Sequence, residues 1–325
     1  MAERRLTLGV VVVAAGVLLG ALCWAPVATA NGQALGQGGV QPSAADSPGT
    51  TSDALAPVPA AAREPHRALH GLPKAYTVTV GGWNLVMLRI PPGTFMMGSP
   101  DSERGRNSSE GPQHQVTISK YFYLGKYEVT QAQWQAVMGT PMPTTCGDHA
   151  IAPNFPVYCV SWDEIRGPGG FIDRLNAQLQ TTRFRLPTEA EWEWAARAGT
   201  STRFSHGDVL ECGDGCQACA AHDANMWWCG NNEANGAKPV GRRQANAWGL
   251  FDMHGNVREW VQDFFHNSYT GAPTDGSAWE TPASTWRMVR GGSSFTEARA
   301  CRSAYRYQYR PDDRFDDRGF RLASW

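Results

Sequence analysis

The sequence predicts a loop-rich domain in which short strands and short helices surround an aromatic core. Thirteen tryptophans, 35 glycines and 21 prolines among 325 residues favour irregular connections over long regular elements. Apolar residues alternate through Tyr76–Pro91 on both sides of Gly81-Gly82, which is typical of a β-hairpin. No internal period of about 20–50 residues is evident, which argues against a repeat array.

Further elements follow from local signals in the middle of the chain. Short strands are predicted at Thr94–Met97 and Gln115–Ser119, on either side of a polar loop. Thr130 is suited to cap a helix. A longer helix is predicted over Ser161–Leu179, with a break at residues 167–170, where Gly-Pro-Gly-Gly interrupts the apolar pattern.

The clearest helix signal is the segment RLPTEAEWEWAARAG. Thr188 and Glu191 predict a capping box, in which the hydroxyl accepts from a backbone N–H and the carboxylate reaches back to the cap residue. Gly199 predicts the C-terminal end of the helix. Because this local explanation is sufficient, the three glutamates of the segment are predicted to be structural and not catalytic: Glu189, Glu191 and Glu193.

The first 30 residues are typical of a secretory signal peptide. Arg4 and Arg5 precede an apolar run from Leu8 to Ala25, and Ala28-Thr29-Ala30 provides small residues at a cleavage site. The alternative is an uncleaved anchor, since the apolar run approaches the length that spans a bilayer. We therefore expect an exported protein in the periplasm, at the cell surface or outside the cell.

Residues 31–72 are rich in alanine, glycine, proline and serine, with few large apolar side chains. Such a segment cannot bury enough surface to offset chain entropy, so it is predicted to be a disordered tether. Residues 73–325 are then predicted to form one domain. The net charge of −1 gives no support for nucleic-acid binding. A membrane contact is expected only through an uncleaved N-terminal segment.

Export favours disulfide bonds, because the protein then meets an oxidising compartment. Removal of Cys23 with the signal peptide leaves an odd number of cysteines, so at least one thiol is free, bound to metal or paired elsewhere. The remaining cysteines are Cys146, Cys159, Cys212, Cys216, Cys219, Cys229 and Cys301.

The segment ECGDGCQACAAHDANMWWCG leaves two interpretations open. Its first three cysteines, with His222 and Cys229 nearby, have the spacing of a zinc site. Local disulfides are the favoured alternative in an exported protein. If Cys146 also pairs with Cys159, and the four cysteines of this segment form two pairs, Cys301 remains as a free, buried thiol.

Several strings of the chain occur together in one known family. MGSPDSE, EGPQHQV, KYEVTQAQW, PVYCVSWDE, FRLPTEAEWEWAARAG, NAWGLFDMHGNVREW, VRGGS and GFRLA follow one another across residues 90–323. In this set the chain resembles the formylglycine-generating-enzyme, or sulfatase-modifying-factor, family. The resemblance implies an irregular α+β domain with a C-type-lectin-like fold. It does not determine the activity, because the same fold carries oxidases, iron-dependent enzymes and binding proteins.

The resemblance bears directly on copper chemistry. The family's copper-dependent oxidases bind Cu(I) with two cysteines that follow an Arg-Gly-Gly-Ser turn, since thiolates suit this soft ion. Residues 290–293 match the turn, and Cys301 matches the second cysteine. Thr296 stands at the first position, so Cu(I) is not expected. If the chain is nevertheless an enzyme, the resemblance implies that its catalytic residues are Ser293 and Cys301.

The string DMHGNVREW resembles the family's calcium site. On the matching positions, Asp252 and Glu259 would provide side-chain oxygens, while Gly255 and Val257 would provide backbone carbonyls. A structural Ca²⁺ is the favoured interpretation. The alternative is a hydrogen-bonded turn in which Glu259 is buried against an arginine. His254 has no convergent partner in the sequence and is predicted to be structural.

Residues 287–321 contain nine arginines and no lysine. Arg302, Arg306, Arg318 and Arg321 lie in strings common to the family and are predicted to be scaffold. The positions between them are less constrained, and exposed aromatic and arginine side chains favour binding. The candidate binding residues are Ser294, Phe295, Thr296, Glu297, Arg299, Tyr307, Tyr309, Asp313, Phe315 and Asp316, with Gln308 and Asp317 beside them.

This pattern also resembles the variable proteins of diversity-generating retroelements, which use the same fold. Our leading hypothesis is therefore an exported scaffold that binds a protein or peptide ligand through its C-terminal segment. The second hypothesis is a divergent formylglycine-generating oxidase, or a related oxidoreductase, that converts a substrate cysteine. A structural role in envelope assembly is a third hypothesis.

Overall fold

A computed structural model describes residues 73–147, 151–232 and 236–325 of the chain. The predicted signal peptide and tether, residues 1–72, lie outside the described residues. The structure combines short strands and short helices with long irregular connections, as the sequence predicts. No helix in the described ranges has the length and apolar character needed to cross a membrane.

The described ranges contain eleven strands. They are β1 (Ala75–Val80), β2 (Trp83–Ile90), β3 (Gly93–Met97), β4 (His114–Ile118), β5 (Phe122–Gly125), β6 (Phe184–Arg185), β7 (Arg258–Phe264), β8 (Arg287–Arg290), β9 (Tyr307–Tyr309), β10 (Arg318–Gly319) and β11 (Ala323–Ser324).

The same ranges contain six α-helices and two short 3₁₀ helices. The α-helices are α1 (Gln131–Met138), α2 (Trp162–Arg166), α3 (Phe171–Gln178), α4 (Glu189–Arg197), α5 (Ala220–Asp223) and α6 (Cys229–Asn232). The 3₁₀ helices span Ser108–Glu110 and Ala298–Cys301.

The strands form three sheets. A five-stranded sheet has the order β1-β2-β5-β11-β6, a four-stranded sheet has the order β10-β7-β8-β9, and β3 pairs with β4. The predicted hairpin is confirmed, because β1 and β2 pair antiparallel with Val80 opposite Trp83. The predicted strands around the polar loop are confirmed as the antiparallel pair β3–β4. Strand β9 lies at an edge, and its Tyr307 and Tyr309 are opposite Val289 and Arg287 of β8.

The predicted helix signals are confirmed with one difference. Thr130 caps α1, and the predicted break separates α2 from α3. In α4, Glu191 N donates to Thr188 Oγ1 at 3.1 Å, and Thr188 N donates to a Glu191 carboxylate oxygen at 2.9 Å. The left-handed C-cap is Ala198, with φ of 47°, and Gly199 follows it with φ of 92°. The helix therefore ends one residue earlier than Gly199 predicts.

Aromatic side chains fill the core. Trp134 stacks on Phe171 with ring centroids 5.5 Å apart, and both rings meet Phe320 edge-on. A second cluster surrounds the fully buried Trp192 of α4. A smaller third cluster contains Phe204, Met226 and Trp228, with Ala298 and Cys301 of the second 3₁₀ helix packed against them. The predicted aromatic core is confirmed.

The cysteines pair as the disulfide interpretation predicts. Disulfides join Cys146 to Cys159, Cys212 to Cys219, and Cys216 to Cys229. Cys301 is the free cysteine of the described part of the chain, and it is buried. In each disulfide the two sulfurs are covalently bonded to each other, so neither is available as a thiolate ligand.

Buried arginine–carboxylate pairs connect the C-terminal segment to the rest of the domain. Glu189 at the start of α4 accepts from Arg290 at 3.1 Å and from Arg306 at 2.7 and 3.0 Å. Glu110 accepts two bonds from Arg302, at 2.6 and 2.8 Å. The three guanidinium groups are at most 1% exposed. We call these five residues the arginine network.

Breaking the arginine network is expected to destabilise the fold strongly. Arg302→Met leaves the buried carboxylate of Glu110 without its arginine partner and also removes the ion pair with Glu103. Because one member of a buried pair is then uncompensated, we expect a loss of about 3–5 kcal/mol in the free energy of unfolding, measured by urea denaturation.

Arg314→Met is the matched control, because Arg314 pairs with Glu164 at the surface and is 44% exposed. Its expected cost is about 0–1 kcal/mol. Equal small losses for the two variants would contradict the structural role of the network.

Candidate functional site

The Arg-Gly-Gly-Ser turn follows directly from the end of β8. The chain reverses through Gly291 and Gly292, which have φ of 93° and 71°. A Cβ atom on Gly292 would lie 2.6 Å from Cys301 Sγ and 2.7 Å from Ala300 O, so glycine is required there for space as well as for conformation. The turn thereby holds Ser293 against the 3₁₀ helix that ends at Cys301.

The structure brings Ser293, Thr296 and Cys301 together, as the family resemblance implies. Thr296 Oγ1 donates to Ser293 O at 3.0 Å and accepts from Ser293 N at 2.9 Å. The same hydroxyl lies 3.5 Å from Cys301 Sγ. The position of the family's first copper cysteine is therefore occupied by a hydroxyl that closes a local turn.

Cys301 is a poor thiolate in this environment. Its side chain is fully buried, and burial raises the pKa of the Cys301 thiol to about 11, against a smaller lowering effect of the contact with the Thr296 hydroxyl. Since the thiolate is the nucleophile and the metal ligand, a thiol that stays protonated at neutral pH favours neither role.

The hydroxyl of Ser293 is part of a fixed polar chain. Ser293 Oγ donates to Asp317 Oδ2 at 3.2 Å, and the same carboxylate oxygen accepts from Arg258 Nε at 3.2 Å. Arg258 is buried at the start of β7. Asp317 thus links the Arg-Gly-Gly-Ser turn to the surface of the four-stranded sheet. Sequence reasoning missed Arg258, although it lies within the DMHGNVREW string that carries the family resemblance.

His254 forms hydrogen bonds with backbone groups beside the polar chain of Ser293, Asp317 and Arg258. Ser205 N donates to His254 Nε2 at 3.1 Å, so the proton is on Nδ1, which donates to Cys301 O at 2.8 Å. The imidazole is 3% exposed, and burial lowers the pKa of His254 to about 4. The predicted structural role of His254 agrees with these contacts.

The predicted calcium residues lie in a buried acidic cluster. Glu259 accepts from Arg321 at 2.6 to 2.9 Å and from Trp192 Nε1 at 2.7 Å. Asp252 Oδ2 accepts from Gly241 N at 2.7 Å, while Asp252 Oδ1 is buried without a hydrogen-bond partner among the described residues.

A third carboxylate, which sequence reasoning missed, completes this cluster. Glu128 accepts from Val257 N at 3.1 Å and from Asn256 Nδ2 at 2.7 Å. Burial raises the pKa of Asp252 to about 6 and raises the pKa of Glu128 well above its ordinary value. The free oxygen of Asp252 fits a cation, whereas Glu259 is already paired with an arginine. The calcium site at Asp252, Gly255, Val257 and Glu259 stays a prediction.

An exposed row of rings lies on and beside the edge strand β9. We call Tyr305, Tyr307, Tyr309 and Phe315 the aromatic row. Successive ring centroids are 6.4, 5.1 and 5.8 Å apart. Tyr307 is 39% exposed and Phe315 is 45% exposed, so these two rings present the largest apolar faces. No strand in the described ranges pairs with the outer side of β9.

Two guanidinium groups support the aromatic row. The Arg318 guanidinium carbon lies 3.1 Å from the Tyr309 ring centroid and 3.6 Å from that of Phe315. The Arg258 guanidinium lies 5.4 Å from the Tyr307 centroid. Stacked rings that are backed by arginine are held in place, so little side-chain entropy remains to be lost on binding.

The remaining candidate binding residues divide into buried and exposed groups. Ser294 is fully buried, which corrects its predicted place on the surface: its N–H bonds to Asn256 O and turns the side chain inward. Thr296 is half-buried and engaged in the turn. Glu297 and Arg299 form an exposed ion pair on the 3₁₀ helix.

Farther along the C-terminal segment, the Asp313 carboxylate accepts a hydrogen bond from Arg310 N at 2.9 Å. Asp316 and Phe295 are half-buried. Tyr305 is half-buried beside Tyr307 and was not among the predicted binding residues, because it lies in the CRSAYR string that was assigned to the scaffold.

Known proteins resemble this chain over most of its length. The Sulfatase-modifying factor enzyme 1-like domain matches residues 83–324. The formylglycine-generating enzyme of Thermomonospora curvata is 30% identical over 295 residues, which cover 73% of this chain and 93% of the relative. The chaperone protein LppX of Paenibacillus barcinonensis is 30% identical over 243 residues, covering 64% and 81%.

A solved structure, that of the Treponema denticola variable protein 1, superposes with a TM-score of 0.62 and 28% identity. The match covers 78% of this chain and 99% of that chain. The similarity confirms the irregular, loop-rich α+β fold class that the sequence motifs imply.

The buried neutral imidazole of His254 predicts loss of stability in acid. Its pKa is about 4 in the folded state and 6.5 in an unperturbed histidine. Between these values the unfolded chain binds a proton that the folded chain does not, so stability falls as pH falls from 6.5 to 4, by up to about 3 kcal/mol.

In His254→Gln this contribution is absent, so urea denaturation at a series of pH values should show a shallower acid decline than in the wild type. Identical declines between pH 6.5 and 4 would show that His254 titrates normally in the folded protein.

Proposed function

Because the chain belongs to the sulfatase-modifying-factor family, we propose that it uses this family's scaffold to bind a protein or peptide ligand. The observation that carries the proposal is the aromatic row on the edge strand β9, with Tyr307 and Phe315 exposed and arginines stacked behind the rings. The proposed surface extends to Asp313 and to the neighbouring ion pair of Glu297 and Arg299.

The chemistry of this surface suits a peptide. Tyrosine and arginine are enriched at the energetically dominant positions of protein interfaces. Tyrosine offers a large contact area with few rotatable bonds and a hydroxyl that hydrogen-bonds at the rim. The unpaired edge of β9 adds backbone donors and acceptors, to which an extended peptide can align as a further strand. The acidic and basic side chains around the rings then select the charge of the ligand.

The alternative, oxidation of a substrate cysteine, has weaker support. Cu(I) binding by this family's oxidases needs two thiolates, and Thr296 offers only a hydroxyl that is already hydrogen-bonded within the turn. The remaining thiol of Cys301 is buried and stays protonated near neutral pH. The geometry of the turn therefore supports the scaffold and the surface above it.

The relatives and the disulfides support the binding proposal and its compartment. Two of the similar proteins are a chaperone and a variable protein, and both names fit recognition of other molecules. Three disulfides are typical of an oxidising compartment, which supports the proposal that the protein acts after export. The likeness to a variable protein also supports a C-terminal surface whose residues differ between related chains.

The binding proposal predicts that ligands depend on the aromatic row. Peptides are selected from a random displayed library on the purified full chain, and their affinities are measured by surface plasmon resonance. Tyr307→Ala combined with Phe315→Ala should weaken most of them by about thirtyfold or more, since truncation of a dominant interface residue costs about 2 kcal/mol.

Trp83→Ala is the matched control, because Trp83 is a similarly exposed aromatic residue in the β1–β2 hairpin, at 43%. Its effect on the same peptides should be less than twofold. The proposal fails if the selected peptides depend on Trp83 and bind the double variant with unchanged affinity.

The oxidase alternative is tested separately. The purified chain is treated with Cu(I), separated from unbound copper, and incubated in air with a cysteine-containing peptide of the sulfatase type. We expect no retained copper and an unchanged peptide mass. Conversion of the cysteine to formylglycine would establish the oxidase and remove the main argument against it, the hydroxyl at Thr296.

A further inference from the structure

A group of metal-binding side chains lies apart from the aromatic row, beside the second 3₁₀ helix. One ligand atom from each of Cys212, Cys219 and His222 lies within 4.8 Å of the other two. Cys219 is 8% exposed and His222 is 1% exposed, whereas Cys212 is half-buried and closer to solvent. Phe204 and Trp228 pack around the group, so its surroundings are apolar.

The local fold brings these residues together for a simple reason. Cys219 is the N-cap of α5, and His222 is the third residue of that helix. A spacing of three residues at a helix start puts both side chains on one face. Cys212 comes from the preceding loop, and the disulfide between Cys216 and Cys229 closes the segment around this face independently of the pair Cys212–Cys219.

A second histidine is suited to orient the first. His206 Nε2 lies 3.3 Å from His222 Nδ1. His206 Nδ1 is buried and has no hydrogen-bond partner among the described residues. In the tautomer in which His222 Nδ1 donates to His206, the lone pair of His222 Nε2 is left for a metal. This is the usual arrangement behind metal-bound imidazoles, which donate their other N–H to an acceptor.

Nearby charge does not oppose a cation strongly. The guanidinium group that acts on His222 belongs to Arg203, which pairs with Asp214 at 2.6 Å. Asp214 also accepts from Arg104 at 2.8 Å, and Asp223 lies one residue from His222. Two thiolates and one neutral imidazole would therefore neutralise a divalent ion within a nearly balanced set of charges.

We propose that Cys212, Cys219 and His222 form a redox-gated zinc site, with His206 as the positioning residue. In the disulfide state the two sulfurs bond to one another and the site is closed. In the dithiol state two thiolates and an imidazole provide three of the four ligands that Zn²⁺ prefers, and a water molecule suits the fourth position.

The change of state needs an external dithiol as the reductant. Its thiolate attacks the Cys212–Cys219 bond, a mixed disulfide forms, and the second thiol of the reductant resolves it. The reductant leaves as its own disulfide, and two electrons and two protons pass to Cys212 and Cys219. Binding of Zn²⁺ then releases the two thiol protons to solvent, since only thiolates bind the ion.

The site contacts the segment that carries part of the proposed binding surface. Arg299 N donates to Asp214 O at 3.1 Å, and Cys229 N donates to Thr296 O at 3.1 Å. The loop that contains Cys212 thus supports the 3₁₀ helix with Glu297 and Arg299. The zinc proposal itself rests on the Cys–His group and not on the binding proposal.

The test compares oxidised and reduced full chain. Zn²⁺ is titrated against a chromogenic competitor, and Co²⁺ is used as a spectroscopic probe. After reduction with a non-chelating phosphine, we expect about one Zn²⁺ per chain and a thiolate-to-cobalt charge-transfer band, and neither in the disulfide form. His206→Gln should weaken Zn²⁺ binding by about tenfold to a hundredfold while keeping the cobalt band.

Variants distinguish Zn²⁺ binding at this site from Zn²⁺ binding at other reduced cysteines. Cys212→Ser and His222→Gln should each lose the stoichiometric site, whereas Cys146→Ser combined with Cys159→Ser should keep it. The proposal is overturned if the His222→Gln or Cys212→Ser variant binds as the wild type does. It is also overturned if the reduced wild type, with free thiols confirmed at Cys212 and Cys219, binds no Zn²⁺.

Discussion

Pairing between buried arginines and buried glutamates is the interaction on which the rest of this structure depends. Arg290, Arg302 and Arg306 are almost completely removed from water, and each meets a carboxylate from a distant part of the chain. A guanidinium in such surroundings is tolerated only when its donors are satisfied, and its planar shape allows several bonds in fixed directions. The network thereby holds one arrangement of a C-terminal segment that has little regular structure of its own.

Because these arginines must stay buried and paired, the C-terminal segment contains both inward scaffold residues and outward surface residues. Arg302 and Arg306 point inward on both sides of Tyr305, and Arg318 lies under the rings of Tyr309 and Phe315. The buried arginines therefore support the outward side chains, which are not themselves members of the arginine network. Such an arrangement allows the outer residues to differ while the fold stays the same. It also explains why the family's turn persists although the first copper cysteine is replaced by Thr296.

Local signals in the sequence predicted much of the fold. The β1–β2 hairpin, the caps of α1 and α4 and the break between α2 and α3 each depend on a few neighbouring residues, and each is confirmed. The free Cys301 followed from the odd number of cysteines together with the expected pairing of the other six. Ala198 shows the limit of such signals, because it adopts the left-handed conformation although a glycine stands next to it.

The candidate site depended more on contacts between distant segments, and its prediction was less complete. Glu128 accepts a hydrogen bond from Val257 N although the two residues are 129 positions apart in the sequence, so no local pattern connects them. Arg258 belongs to β7, and it meets Tyr305, which precedes β9, only through the tertiary fold. Ser294 precedes the half-buried Phe295, and its backbone bond to Asn256 turns it into the core. Motif matching placed Ser293, Thr296 and Cys301 together correctly, because the turn and the 3₁₀ helix are close in sequence.

A division between buried arginines that hold the scaffold and outer rings that can vary without loss of the fold governs the C-terminal segment. It is tested most directly by randomising each codon from 294 to 321 in the displayed protein and sorting for protease-resistant, folded chains. We expect Arg302, Arg306 and Arg321 to tolerate almost no replacement, whereas Tyr307 and Phe315 should accept most residues. Free replacement of the three arginines, or intolerance at both rings, would contradict it.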